Sequence, residues 1–430
     1  MYKKIVNKIM VFGLLAGVAV TGSVQAQEAA GNLLLRKLVE KGVLTQEEAD
    51  ELLAESQREA EQQFTMWQVA PDLPSWVQKL SMKGDLRLRT EYLNSDGIAG
   101  GTPSRERFRY RLRYGVAATL NDDWMVGFRL ASGSTDNPIS TNDTMDDDGA
   151  NDALNIDQAY AAWTPSEAMK FTFGKMPNPL DLDNHIMDSD YTPEGIGYNY
   201  IRDLSEKHIF GMNLGAIIVD EASGDSSDAY AGLAQVTLDS KLSTKLTSHI
   251  GVATYSIINK DAATNDHANR GNTSGSDSNP PTYNYNPVII DAALTYNLNS
   301  FPMWEGSFPV KLGGTYINNP AISEKNEGYL LGITLGKAEK AGTWQFSWQY
   351  AEKQADSLYD NWTDSDFGAY GVGGAAGSFK SGTDVRGHKV QFRYQILDST
   401  LFSTTVFRTE AITTNGHEST RGQLDLIWKF

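Results

Sequence analysis

The sequence predicts an all-β fold: a transmembrane antiparallel β-barrel of about 16 strands with a short N-terminal periplasmic helical segment. Three observations predict it. From Lys79 onward, segments of about 9 to 15 residues alternate apolar and polar side chains with period two, which suits tilted strands that cross a bilayer. Short connections alternate with long ones, as they do when one end of a barrel carries turns and the other carries loops. The final segment stops on Phe430, an aromatic ending that resembles the recognition signal of outer-membrane proteins.

Residues 1–26 read as a signal peptide. Lys3, Lys4 and Lys8 make a positive start, Ile9 to Val20 is apolar, and Val24-Gln25-Ala26 supplies the small residues of a cleavage site. The apolar run is shorter than the roughly 20 residues a spanning helix needs, and no later stretch is long enough either. Cysteine is absent, which excludes disulfides, thiolate metal sites and cysteine nucleophiles. The formal charge is −17, and the part after Ala26, without the three signal lysines, carries −20. That acidity argues against a nucleic-acid partner, which needs a basic surface. A mean hydropathy of −0.39 is too polar for a bundle of membrane helices.

Residues 27–75 read as a helical segment and linker. Leu33, Leu34, Leu35, Leu38 and Val39 cluster on about one and a half turns before Lys41-Gly42, a helix stop. Thr45 and Glu48 then form a capping box, opening a second helix from about Gln46 to Gln63. Pro71 and Pro74 mark a linker, and the barrel takes residues 76–430. The helices fit a solvated spacer, or a self-associating coil that helps build a homotrimer; they fall short of three clean heptads.

The first strand, 79–93, turns Leu80, Met82, Leu86, Leu88 and Tyr92 one way and Lys83, Asp85, Arg87, Arg89 and Glu91 the other. The second, 105–120, sets Phe108, Tyr110, Leu112, Tyr114, Val116 and Leu120 against Arg105, Arg107, Arg109, Arg111 and Arg113. A soluble sandwich accommodates one such strand, but not the whole set. Similar alternation runs through Trp124 to Leu130, Phe210 to Ile218, Val288 to Tyr296, Trp344 to Tyr350 and Val390 to Ile396. Further strands are expected at about 153–164, 168–176, 194–202, 229–239, 241–257, 307–318, 328–337, 400–410 and 422–430, the first of these ambiguous in phase at Gln158. Short connections fall at Asn121-Asp122, 164–167, 203–205, Asp239-Ser240, 338–341 and Asp398-Ser399, with a longer one at 298–306. Long loops fall at 94–104, 134–152, 177–193, 258–280 and 354–384.

Four features carry a family resemblance: Leu44-Thr45-Gln46-Glu47-Glu48-Ala49, Lys83-Gly84-Asp85-Leu86-Arg87-Leu88-Arg89, Gly174-Lys175-Met176-Pro177-Asn178-Pro179, and the terminal Phe430. With them, most of residues 32–430 resembles the bacterial putative-porin family, relatives of the phosphate-selective porins. The resemblance implies a channel in the outer membrane, in contact with its lipid and passing small hydrophilic solutes or ions.

Sixteen strands enclose a lumen wide enough for water. Arg87, Arg89, Arg107, Arg109, Arg111, Arg113 and Arg129 are then expected to line it as a hydrated basic wall with a preference for anions. The loop 177–193, with Asp181, Asp183, Asp188 and Asp190, is expected to fold inward, as the third loop does in porins of similar build. Acid and base facing each other there would set up a transverse field. Asp143, Asp146, Asp147 and Asp148 offer hard oxygen ligands for calcium but lack an EF-hand's spacing; no metal or cofactor is expected.

Two other classes compete. An outer-membrane enzyme would need a nucleophile, a base and an orienting group, and none of the six histidines sits in a recognisable Ser/His pattern. A structural or adhesive barrel with a closed lumen would show no conductance. Trp163, Tyr198 and Tyr200 suit a lipid-interface girdle better than a sugar path.

Overall fold

The computed structural model describes residues 77–430, apart from 97–103, 122, 222–223, 225–227, 264–269, 274–281, 369–381 and 414–416. The expected signal peptide and helical segment lie outside the described residues. Sixteen strands form one sheet: β1 (Val77–Asp96), β2 (Ser104–Leu120), β3 (Trp124–Ala131), β4 (Asn155–Ser166), β5 (Met169–Lys175), β6 (Glu194–Ser205), β7 (His208–Asp220), β8 (Ala229–Lys241), β9 (Leu246–Ile258), β10 (Val288–Leu298), β11 (Phe308–Asn318), β12 (Glu327–Gly336), β13 (Trp344–Lys353), β14 (Val385–Leu397), β15 (Thr400–Ala411) and β16 (Glu418–Lys429). A two-residue bridge, Asp143–Thr144, pairs with β2 from within a loop.

Each strand pairs antiparallel with its sequence neighbours, and β1 pairs with β16 from Asp85↔Lys429 to Asp96↔Glu418. The sheet therefore closes on itself and leaves no edge. The terminal residue completes the seam. The Gly84 N–H donates to the Phe430 carbonyl at 2.7 Å, and the Phe430 N–H returns the bond to Gly84 at 3.1 Å. A Cβ at Gly84 would stand 2.4 Å from the Phe430 ring, so glycine gives that ring its seat.

Period-two alternation sorts the side chains. Phe108, Leu112, Val126, Phe128, Leu294 and Leu312 lie exposed on the outer face, while Arg107, Arg109 and Arg111 are buried inside. Aromatic rings gather outside near the short turns. Trp124 stacks on Trp163 at 6.0 Å, Trp163 on Phe171 at 5.4 Å, and Phe171 meets Tyr198 at 4.7 Å. Across the barrel, Phe301, Trp304, Phe308 and Trp344 pack together.

Local details differ from the sequence reading: β4 and β6 run through most of the turns expected at 164–167 and 203–205, so that the chain reverses at 167–168 and 206–207. The ambiguity at Gln158 is a β-bulge: Arg129 pairs with Gln158 while Leu130 pairs with Ile156, so Asp157 and Gln158 both end up buried on the inner side. The turn placed at Asp239-Ser240 lies further on, at 242–245, and both residues belong to β8. Asp and Ser favour turns but do not require them.

At the seam, Gly84→Leu is expected to displace the Phe430 ring and destabilise the barrel by about 1–3 kcal/mol, the usual range for overpacking. The check is the temperature at which the compact, heat-modifiable band is lost on a detergent gel. An unchanged temperature would contradict this role for Gly84.

Candidate functional site

The loop 176–193 leaves the wall between two glycines that face each other in register, Gly174 (φ +107°) and Gly195 (φ +149°). A Cβ at either would press on a neighbouring carbonyl oxygen, at 2.5 Å and 2.2 Å. This left-handed backbone is open to glycine and strained for other residues. From there the loop turns into the barrel. Leu180, Ile186, Met187 and Tyr191 join Leu358, Tyr359, Trp362 and Phe367 of the loop 354–368, against Ile217, Tyr255, Ile289 and Ile317 of the wall. Tyr191 and Tyr255 pack on Trp362 at 5.4 and 5.0 Å. The Asp188 N–H donates to the Trp362 carbonyl at 2.7 Å. Burying this apolar surface is the driving force that draws both loops inward.

The seven arginines of the expected wall all lie on β1, β2 and β3, and carboxylates accompany them. Arg89 reaches Asp425 at 2.7 Å and Asp366 at 3.1 Å. Arg107 pairs with Glu91, which also accepts from the Gln423 amide at 2.9 Å. Asp85 holds Arg111 at 2.6 Å and Arg113 at 2.8 Å. Arg129 pairs with Asp157. Arg87 bonds the Asn142 side chain, and Arg109 donates to the Asn142 carbonyl at 3.1 Å. Arg421, unremarked in the sequence reading, joins Asp366 at 2.7 Å.

These guanidinium groups differ from the hydrated wall expected of them. The side chains of Arg89, Arg107 and Arg111 are 5%, 4% and 10% exposed, because the inward loops cover them. The four aspartates of 177–193 also part company. Asp190 contacts Arg113 at 3.1 Å rather than facing it across open space, and it accepts from the Thr141 hydroxyl at 3.3 Å. Asp188 caps its own loop and accepts from the Ser365 N–H at 3.1 Å. Asp181 and Asp183 border the open lumen, and Asp183 accepts from Gln349 at 2.9 Å. Among the described residues no group of three or more acidic, His or Cys side chains is placed to hold a metal ion.

The loop carboxylates differ in charge state. Burial pushes Asp190 up, but Arg111, Arg113 and Arg87 outweigh it and hold the carboxyl below its ordinary range. Asp366 is depressed in the same way by Arg89 and Arg421. Asp188 goes the other way: burial, then the Asp190 and Asp364 carboxylates, push it well up. Burial pushes the enclosed His185 down to about 4.

The open lumen lies against the opposite wall. A cavity of about 730 Å³ is lined by Asp183, His249, Asp291, Lys311, Gln349 and Lys389, among others. A second, of about 680 Å³, shares Asp181, Asp239 and His249 with it. On this wall His249 lies between two carboxylates, with Nδ1 2.8 Å from Asp239 and Nε2 2.9 Å from Asp291. The three come from consecutive strands, β8, β9 and β10. Asp239 sits directly opposite His249 in register, and Asp291 sits opposite Gly251. A Cβ on Gly251 would fall 2.4 Å from the Asp291 carboxylate, so glycine lets that side chain lie across the strand. Sequence reasoning missed this cluster; its signal was an inward His with inward acids on adjacent strands.

A closed sixteen-stranded barrel, apolar outside and polar inside, defines the class of porin-like channels. A family model described as "Putative porin" matches residues 92–288 and 281–430. The chain belongs to this family, and its fold is a porin barrel channel. None of the curated proteins compared matches the chain. Solved structures it resembles include OmpF of Salmonella typhi in complex with daunomycin: 9% identity, 83% of this chain and 99% of that one covered, TM-score 0.47. A triple mutant of the Rhodopseudomonas blastica porin is 12% identical, with 82% and 100% covered and a TM-score of 0.44.

Two outcomes are expected. Glu91→Gln removes the carboxylate from a fully buried pair and should cost about 3–5 kcal/mol, read as a lower midpoint in thermal unfolding; an unchanged midpoint would show that the pair contributes nothing. Acid should loosen the loops. Asp190 and Asp366, with lowered pKa values, stabilise the fold above the ordinary carboxylate range of about 4, and that contribution is lost as the pH falls through their lowered values. His185 contributes stability above about 6.5, lost as the pH falls toward its lowered value. Asp188, with a raised pKa, favours the fold at low pH and opposes the trend. Protection of the amides in 176–193 and 354–368, measured against the intrinsic exchange rate at each pH, should therefore fall as the pH drops below about 6.5 and further below about 4. Protection that stays constant down to about pH 3 would contradict it.

Proposed function

We propose that this barrel sits in the bacterial outer membrane, its apolar outer belt against lipid, and passes small hydrophilic solutes and ions passively through its lumen. One observation carries the reading: the outer face is continuously apolar while the inner face encloses a polar cavity of about 730 Å³. In water such an outer surface would be an aggregation hazard. In a bilayer it is the face lipid requires, and inward charges remain solvated or paired. The two aromatic clusters near the turns suit the membrane–water boundary, where amphipathic rings concentrate. A homotrimer belongs to the same proposal.

The anion preference expected of a bare arginine wall is not retained. In the network described above, Arg89, Arg107, Arg111, Arg113, Arg129 and Arg421 pair with six carboxylates, and Arg87 and Arg109 bond Asn142. Pairing at these distances cancels most of the field beyond a few ångströms.

The test is reconstitution of the purified, detergent-extracted protein in a planar bilayer. Discrete, long-lived conductance steps that grow with salt concentration are expected. A correctly folded barrel with no conductance would support the closed structural barrel instead.

A further inference from the structure

We propose that ions and solutes travel along the β8–β13 wall, past the Asp239–His249–Asp291 cluster, and that this cluster sets the charge selectivity of the channel. The inference rests on the channel reading above and identifies where in the barrel selection occurs.

Access is the first argument. The two cavities described above are both bordered by Asp239 and His249, and neither is lined by an arginine. The Asp239 side chain is 53% exposed and that of His249 27%, against 4% for Arg107. A charge beside the path acts on a passing ion. A charge packed against its counter-ion beneath two loops acts mainly on its partner.

The second argument is the chemistry of the cluster. Carboxylates offer only acceptors, so contact at both ring nitrogens requires a hydrogen on each, which makes the ring an imidazolium. Two carboxylates and one imidazolium carry a net single negative charge. Asp181 and Asp183 add negative charge from the loop that faces the same space, which Lys207, Lys241, Lys311 and Lys389 also line, so the cluster's two carboxylates are what set the sign where the path meets them. The register fixes the geometry. Asp239 is held opposite His249, and Gly251 makes room for Asp291 to complete the clamp. A passing cation meets acceptor oxygens, and a passing anion meets repulsion only partly relieved by the ring. Solutes carrying an ammonium or hydroxyl donor are the chemical class this site favours.

Because the chain contains no cysteine, His249→Cys introduces a single thiol. Bilayer recordings of that variant, before and after a negatively or a positively charged methanethiosulfonate reagent, read access directly. Both reagents are expected to reduce the conductance, and to shift the reversal potential in a salt gradient in opposite directions. A second variant, Asp239→Asn with Asp291→Asn, is expected to keep conducting while its cation-to-anion permeability ratio falls at least about two-fold. The proposal is overturned if the thiol reacts without altering the current, if it is inaccessible in an open channel, or if the double variant keeps the wild-type ratio. Should His249→Cys fail to fold, the double variant decides alone. Absence of conductance in the unmodified protein would instead defeat the channel reading itself.

Discussion

Closure of the sheet is the constraint from which the rest follows. Sixteen antiparallel strands are each paired on both sides, the last one to the first. A closed sheet leaves no unpaired edge to be satisfied by solvent or a partner, so its outer face is free to be apolar. With the outside assigned to apolar side chains, period two sends every alternate residue inward. That is why a strand such as β2 can carry five arginines without exposing one to a greasy surface. The seam between Gly84 and Phe430 is where this arrangement is completed.

Inside, the barrel divides its polar content between two tasks. Along β1 to β3 and β16, arginines and carboxylates pair closely and anchor the inward loops through Asp190 and Asp366. Buried charges of this kind are costly unless paired and hydrogen-bonded, and Arg89, Arg107 and Arg111 meet that condition through the carboxylates of Asp425, Glu91 and Asp85. The apolar side chains of the two loops supply the driving force, and the ion pairs fix the position. On the opposite wall the side chains are smaller and more open, and glycines such as Gly313 and Gly332 leave space beside His249 and Asp291.

Much of the architecture was legible in the residues. The strand count, the sorting of short and long connections, and the inward face of β1 and β2 all follow from local alternation. The failures were local as well. Gln158 broke the pattern because a bulge at Asp157 shifts the phase there, and Asp239-Ser240 was assigned to a turn because both residues favour turns. The second error hid half of the histidine clamp. The loop aspartates were noticed as a group, but their partners lie far away in sequence: Asp190 meets Arg113, and Asp188 meets Ser365. Local patterns cannot report such pairings, nor that loops would fold over the arginines and leave the open path elsewhere.

The central claim is that apolar strand faces meet lipid while charged faces turn inward, and spin-label accessibility along β2 in bilayers tests it most directly. Labels placed singly at positions 107 to 112 should alternate. Those at Phe108, Tyr110 and Leu112 should be reached by oxygen dissolved in the membrane, and those at Arg107, Arg109 and Arg111 should be shielded from it. Oxygen accessibility in the opposite phase, or without alternation, would contradict the account.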